Sequence, residues 1–431
     1  MVVEFSVKNF RSIHSLQTLS FRATSLKSSK ENGKVDQNNI YSGNNLKLLK
    51  TIGIYGANAS GKSNIIRALE YFCEAVSDLP SPESKLSKLC QPFLYQKNSE
   101  DTESFFQIVL MVEGKKYRYG FTVKRNTSTE DSEIPSKEII TSEWLFGPKN
   151  KNLVKYFTRK GLQIDKSNLS GKKNIAPLKY EHTLFLTHAA SYNKDITAKV
   201  RRKISEFITT KFNHRSDFYR FHSIRQIENE NLKIGFIDFL RSFGLPYNDI
   251  SFLNDNEEHR RKNIYPLDKV FLKKVSSNDQ SEEILLNMKK HESDGTKKLF
   301  DLAGLILHAF NIEESGLIIL DEIDSNFHPS LLIKLINHFN NSEKNKSNTQ
   351  LLFTSHDTNL MSPLIMRRDQ FYFAEKEDNE ATRMYSLADL KGIRNDADFA
   401  KHYLAGFYGS LPVLSSYTNE EKELVDGTLG N

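Results

Sequence analysis

The chain has 431 residues, 38% hydrophobic and 26% charged, which excludes global disorder and allows a sizeable core in one elaborated domain or two. A formal charge of +6 permits contact with nucleic acid without requiring it. The two cysteines, Cys73 and Cys90, exclude a disulfide framework or a cysteine zinc site and fit a reducing cytoplasm.

In chain order, MVVEFSVKNF carries charge where a secretory signal would be apolar. Residues 25–46, rich in Ser, Asn and Lys, read as a mobile loop. LLKTIGIYGANASGKSNIIRALEYFCEAV follows. Residues 51–55 alternate and predict a strand, while Ile65, Ile66, Leu69, Phe72, Cys73 and Val76 follow helical spacing. Between them Gly56, Ala57, Asn58, Ala59, Ser60, Gly61, Lys62 and Ser63 fit GxxxxGK[ST], with Asn64 as the next contact. The glycines let the backbone curl so that N–H groups point at phosphate oxygens at a helix N-terminus. Lys62 would reach the β- and γ-phosphates of ATP, and the Ser63 hydroxyl would bind Mg²⁺. A chance Gly-rich turn is the competing reading, and the strand before and helix after argue against it. Ser170-Gly-Lys-Lys173 lacks the first Gly and the hydroxyl, so it reads as a polar loop.

SFFQIVLMVEG, KKYRYGFTVKR and SEWLFG alternate and predict antiparallel strands over 103–160, with turns at Glu113-Gly114 and at 127–131. Residues 181–245 read as mostly helical, with no long heptad run. The basic runs Arg201-Arg-Lys203 and Arg260-Arg-Lys262 read as solvated helix faces, with nucleic acid or an acidic partner as the alternative. LFDLAGLILHAF contains Asp301 and is too short to span a membrane.

GLIILDE has the short apolar run of a strand buried on both faces, Leu317 to Leu320. Asp321 and Glu322 emerge at its carboxyl end, where ligands sit in open α/β sheets. Asp321 is placed to hold Mg²⁺ and Glu322 to polarise the attacking water. QLLFTSHD repeats the design. Its Ser-His-Asp lacks the G-x-S-x-G elbow of a hydrolytic triad, and a metal pair would need further ligands. His356 therefore reads as a γ-phosphate sensor, with a structural His at a strand end as the alternative.

Taken together, this order of motifs resembles the ABC-type ATPase head of the SMC and RecF clade, and within it the small AAA family ATPases of RloA and AbiL type found in anti-phage, abortive-infection loci. Phe5-Ser-Val-Lys-Asn-Phe-Arg-Ser12 resembles that clade's opening strand, which implies that Arg11 contacts the nucleotide. The resemblance makes Glu292-Ser-Asp-Gly-Thr-Lys297 the signature loop, with Ser293, Asp294 and Gly295 serving the active site of a second copy. Asp294 stands where the first Gly of the common Leu-Ser-Gly-Gly form usually lies, and without the resemblance this loop is a turn and helix cap. In Asp321-Glu-Ile-Asp-Ser-Asn-Phe-His-Pro329, Asp324 is the implied dimer contact. Gln91, in LCQPFLY, is the implied further Mg²⁺ and water contact. Tyr403-Leu-Ala-Gly-Phe-Tyr-Gly-Ser-Leu-Pro412 resembles the family's ending.

The expected fold is therefore α/β, a P-loop ATPase head of ABC type with a mostly parallel sheet flanked by helices. An antiparallel β-subdomain and a compact helical insertion accompany it. The expected units are 1–100 with the Gly-rich loop, 101–165 as the β-subdomain, 166–284 as the insertion, and 285–431 with the signature, acidic strand and His switch. The resemblance implies a homodimer or higher homo-oligomer that hydrolyses ATP and controls a separate protein effector, a nuclease of Toprim type. Alternatives are a DNA-repair ATPase that binds DNA directly, or a nucleotide-gated binding module with little turnover. No guanine-reading Asn-Lys-x-Asp is present, which disfavours a GTPase.

Overall fold

The computed structural model describes residues 1–126, 138–150, 152–192, 195–211, 216–253, 264–275, 282–311, 316–325 and 327–411. Its centre is a six-stranded sheet in the order Ile208–Lys211, Leu317–Asp321, Gln350–Thr354, Thr51–Tyr55, Phe371–Lys376 and Thr382–Ser386. The first five run parallel and the last is antiparallel to its neighbour. The strands at 317, 350 and 51 are buried along their whole length. Alternation survives in a different form from that expected at 51–55. Successive residues enter two separate cores rather than core and solvent, because the side-chain period of a strand is two. Leu317 and Ile319 join the core formed with the helix Lys62–Ser77. Ile318 and Leu320 join the core formed with the helices Asp294–Phe310 and Pro329–Asn340.

The helix Lys62–Ser77 buries Ile65, Ile66, Leu69, Phe72, Cys73 and Val76, the positions its spacing predicted. The helix Asp294–Phe310 likewise buries Leu299, Leu302, Ala303, Ile306 and Phe310.

Antiparallel strands predicted over 103–160 appear as Ser104–Val112, Lys115–Arg125, Glu138–Lys149 and Asn152–Lys160. The Glu113-Gly114 turn has positive φ at both residues, as a tight hairpin requires. The turn at 127–131 lies outside the described residues, as do Arg260-Arg-Lys262, Asn326 and Pro412. The sheet continues past Ser104–Val112 into Val2–Lys8 and Gln17–Ser20, giving seven strands with Gln163–Asp165 at the far edge.

Two stretches differ from the sequence reading. Residues read as a mobile loop include a helix, Gly33–Asn39, and the paired strands Ile40–Gly43 and Leu46–Leu49. Their polar side chains find distant partners: Asp36 pairs with Arg367, and the Asn39 amide donates to Ile365 O and Gln370 Oε1. Beyond the helices Phe185–Ala190, Ile196–Ser205, Ser216–Glu228 and Glu230–Ser242, the stretch expected to be a compact helical insertion leads into a three-stranded antiparallel sheet, Asp249–Phe252, Val270–Val275 and Glu283–Asn287, whose last strand runs past residue 284. The insertion is fastened to the helix Asp294–Phe310. Arg220 Nε and Nη2 donate to the two carboxylate oxygens of Asp301, each at 3.0 Å. The Ser223 backbone fits only because residue 304 is Gly, whose Cβ would lie 2.2 Å from Ser223 N. No helix among the described residues is long and apolar enough to cross a membrane.

Candidate functional site

Three neighbouring parallel strands end side by side at one edge of the central sheet. Thr51–Tyr55 delivers the loop 56–61, Gln350–Thr354 delivers Ser355 and His356, and Leu317–Asp321 delivers Asp321 and Glu322. Parallel pairing forces this convergence, since it aligns all three carboxyl ends.

The loop enters the helix Lys62–Ser77 through positive φ at Gly56, Ala59 and Gly61. At Gly61, φ is +102° and a Cβ would sit 2.0 Å from Thr382 Oγ1, so only glycine lets the hairpin strand Thr382–Ser386 pack there. Thr382 Oγ1 donates to Ser60 O at 2.9 Å. Among the described residues, the buried Ser60 hydroxyl has no hydrogen-bond partner, an orphaned polar atom inside the curl. Asn58 and Ala59 are exposed at the tip. The Ala57 N–H donates to Ser410 O at 2.9 Å.

Lys62 is buried, and its ammonium donates to Gly56 O and Ala57 O, both at 2.8 Å. Burial lowers its pKa to about 8, against the opposing pull of Asp321, Asp324 and Glu322. The cation thus lies folded against the carbonyls of its own loop.

Ser63 Oγ donates to Asp321 Oδ1 at 3.2 Å. The same carboxylate oxygen accepts from Thr354 Oγ1 at 2.6 Å, and Thr354 Oγ1 in turn accepts the Glu322 N–H at 2.7 Å. This chain holds Glu322 at φ +56°, a conformation that side-chain-bearing residues enter at a cost of about 1–3 kcal/mol. The Glu322 carboxylate is exposed beside the buried Asp321. A hydroxyl and a carboxylate are hard oxygen donors, and a single carboxylate suits a Mg²⁺ that arrives with phosphate oxygens rather than one caged by protein alone. The donor set therefore fits that ion.

His356 is exposed beyond Ser355, and its backbone N–H donates to Asp324 Oδ2 at 2.8 Å. Partial burial and the Lys62 charge hold its imidazole below the ordinary pKa, so it is predominantly neutral at physiological pH. Asp324 thus ties the His356 turn to the acidic turn within one chain.

Arg11 and Gln91 meet on the flank of the loop. Arg11 Nε donates to Gln91 Oε1 at 2.7 Å, and Arg11 Nη1 lies 3.5 Å from Asn64 Oδ1. Asn64 Nδ2 donates to Ser12 Oγ at 2.7 Å. The Gln91 oxygen that a cation would need is occupied by Arg11 in this arrangement. Ser293 caps the helix Asp294–Phe310 by accepting from Thr296 N at 3.2 Å, while Asp294 pairs with Lys297. Among the described residues, the hydrogen bonds of Ser293 and Asp294 stay at that helix start, with Gly295 in its first turn.

Sequence reasoning missed Thr354, Thr382, Ser12 and Ser410. Thr354 offered one signal, as the polar last residue of an apolar strand directly before Ser-His-Asp. Thr382 and Ser410 offered none, because they reach the loop from more than 300 residues away.

The family described as "AAA domain, putative AbiEii toxin, Type IV TA system" matches residues 52–362, which is most of the chain and includes all three converging strand ends. The protein belongs to this AAA-domain family. No curated protein matches the chain. Among solved structures it is similar to the SMC head domain from Thermotoga maritima, at 13% identity and a TM-score of 0.41, covering 89% of this chain and 98% of that one. The matched span of this AAA-domain family contains the curled loop around Lys62 and the Asp321–Glu322 pair.

Proposed function

We propose that the protein is a Mg²⁺-dependent ATPase whose active site closes between two copies, and that it governs a separate nuclease effector in anti-phage defence. The observation that carries the ATPase reading is the convergence of the loop 56–61, Lys62, Ser63, Asp321, Glu322 and His356 at one sheet edge. Backbone amides of the curl and the Lys62 ammonium hold the β- and γ-phosphates. Ser63 and Asp321 hold Mg²⁺, which supplies charge neutralisation on the phosphates. Glu322 accepts a proton from the attacking water, and His356 donates toward the γ-phosphate. Arg11 and Asn64, on the flank of the loop, contact the nucleotide, and Gln91 would reach Mg²⁺ and water if Arg11 releases it. The family's printed toxin–antitoxin description supports the defence setting, and the effector rests on the resemblance stated above.

Lys62 gives this reading a pH signature. In the free protein its pKa is about 8, and a phosphate anion beside it favours the charged form and raises that value. Binding therefore takes up a proton just above pH 8 and none well below it, and affinity falls as pH rises through 8. Calorimetric titration in two buffers of different ionisation heat reads the uptake. Lys62→Arg, which stays charged, should abolish it; equal uptake in both proteins would place the proton elsewhere.

The second copy is called for because Glu322 and His356 stand exposed, leaving one flank of the γ-phosphate open to water. A helix N-terminus such as that of Asp294–Phe310 can close it. Lys62→Ala and Ser293→Arg, each inactive alone, should recover part of the hydrolysis when co-expressed, because one mixed site collects both defects and the other none. Mixed dimers that form but remain silent would overturn the shared, independently firing site.

A further inference from the structure

The seven-stranded sheet has two faces of different chemistry. One carries Tyr119, Phe121, Leu145 and Phe157 into the core with the helix Lys62–Ser77. The other is partly covered at one end, where Val3 and Val109 meet Leu48. Beyond that end, Lys8, Phe105, Ser142, Trp144 and Lys160 keep exposed or partly exposed side chains.

Strand register places its side chains in rows. One row reads Lys8, Phe105, Thr122, Ser142 and Lys160. The next reads Ser6, Gln107, Gly120, Trp144 and Thr158, and the third places Arg118 beside Phe146. Trp144, the single tryptophan of the chain, is half-buried and lies flat across Gly120. A Cβ on residue 120 would come within 2.6 Å of its ring. Its indole stacks on Phe105 with centroids 5.5 Å apart and planes at 27°, and its Nε1 donates to Gln107 Oε1 at 3.3 Å. Phe105 and Phe146 are likewise partly buried, each with some of its ring exposed.

Cations surround this aromatic shelf. Lys8, Lys116, Arg118 and Lys160 are exposed on the same face. None of the four forms an ion pair among the described residues, whereas two acidic groups of the face are paired: Glu4 with Arg22 at 2.7 Å and Asp165 with Lys155 at 2.7 Å. Lys8 and Lys160 stand four strand spacings apart, roughly 19 Å, with the aromatic rings between them. A core-packing surface would not keep unpaired cations, and a simple solvated face would not spend its only tryptophan on a glycine floor.

We propose that the outer face of the seven-stranded sheet binds single-stranded polynucleotide, with bases stacked on Phe105, Trp144 and Phe146 and phosphates held by Lys8, Lys116, Arg118 and Lys160. Partly exposed aromatic rings match bases only when those bases are unpaired, and unneutralised cations match a polyanion. Ring stacking and phosphate pairing are common to DNA and RNA, so strands of both kinds bind alike. The surface is separate from the Lys62 site, so this inference stands or falls without the ATPase reading.

The test uses nucleotide-free full-length protein and oligothymidylate. Binding should quench tryptophan fluorescence, which reports on Trp144 alone, in parallel with the anisotropy of a labelled strand. Arg118→Glu with Lys160→Glu, both exposed, should weaken binding at least tenfold and flatten the salt dependence by roughly 1.4 in log–log slope. Trp144→Ala should cost roughly fivefold to a hundredfold, and Trp144→Phe, which keeps an aromatic face, should recover much of it. Oligouridylate should match oligothymidylate within a few-fold, and duplex DNA should bind more weakly without quenching. Absence of binding, binding with unquenched Trp144, or unchanged affinity in the folded double variant would each overturn the proposal.

Discussion

A Glu322→Gln variant is expected to bind ATP with Mg²⁺ as the wild type does and to hydrolyse it roughly 10²–10⁴-fold more slowly. The amide has the shape of the carboxylate but accepts no proton, so only the step that needs a base suffers. The backbone conformation should be unaffected. The positive φ of residue 322 is held by its N–H to Thr354 Oγ1 and by the Ile323 N–H to Thr354 O at 3.0 Å, and neither bond involves the side chain. Because the carboxylate is exposed and the neighbouring Asp321 is buried between two hydroxyls, the two acids have separable duties. His356→Ala should also slow turnover while sparing ATP affinity, by a smaller factor, since it removes a hydrogen bond felt most where charge develops. Single-turnover hydrolysis beside equilibrium nucleotide binding separates these effects. Wild-type turnover in Glu322→Gln would remove Glu322 from the chemistry.

Loss of binding is expected instead from Lys62→Ala, by roughly a hundredfold, the scale of a lost charge-assisted hydrogen bond in a buried setting. In the free protein Lys62 bonds the carbonyls of Gly56 and Ala57, so its removal takes away the cation and also a brace on the loop. Lys62→Arg separates these contributions. It keeps the charge, but its longer, planar fork does not fit the compact position that the ammonium takes beside the two carbonyls. Affinity should be partly retained in Lys62→Arg and largely absent in Lys62→Ala. Equal, wild-type affinity in both, measured on folded protein, would mean that Lys62 holds no phosphate.

Much of the site was legible in the sequence because its decisive signals are short-range. The glycines of the loop, the helical spacing from Ile65 to Val76 and the polar residues ending two apolar runs each occupy a window shorter than a helix. Local backbone geometry, with periods of 3.6 and 2, writes such signals directly into residue order. The buried set of the helix Lys62–Ser77 followed from that spacing alone. Asp321, Glu322 and His356 were readable as a group because parallel strands can only deliver their carboxyl ends to one edge.

The tertiary structure decided what depends on register and on contacts distant in sequence. The apolar run at 51–55 could not show that its alternate residues serve two cores, since that requires helices on both faces. Nothing in residues 56–63 announced that Gly61 accommodates Thr382, 321 residues later, or that Ser410 would take the Ala57 N–H. The polar stretch 25–46 gained structure only because Arg367 and Gln370 lie opposite Asp36 and Asn39. The aromatic and basic rows of the outer sheet face exist only once five strands are aligned, because each strand alone contributes one or two of their members. Short-range sterics and periodicity lie within the sequence by itself; pairing register and the close approach of remote segments belong to the packed chain, where the free energy of burial selects among arrangements that local propensity leaves equal.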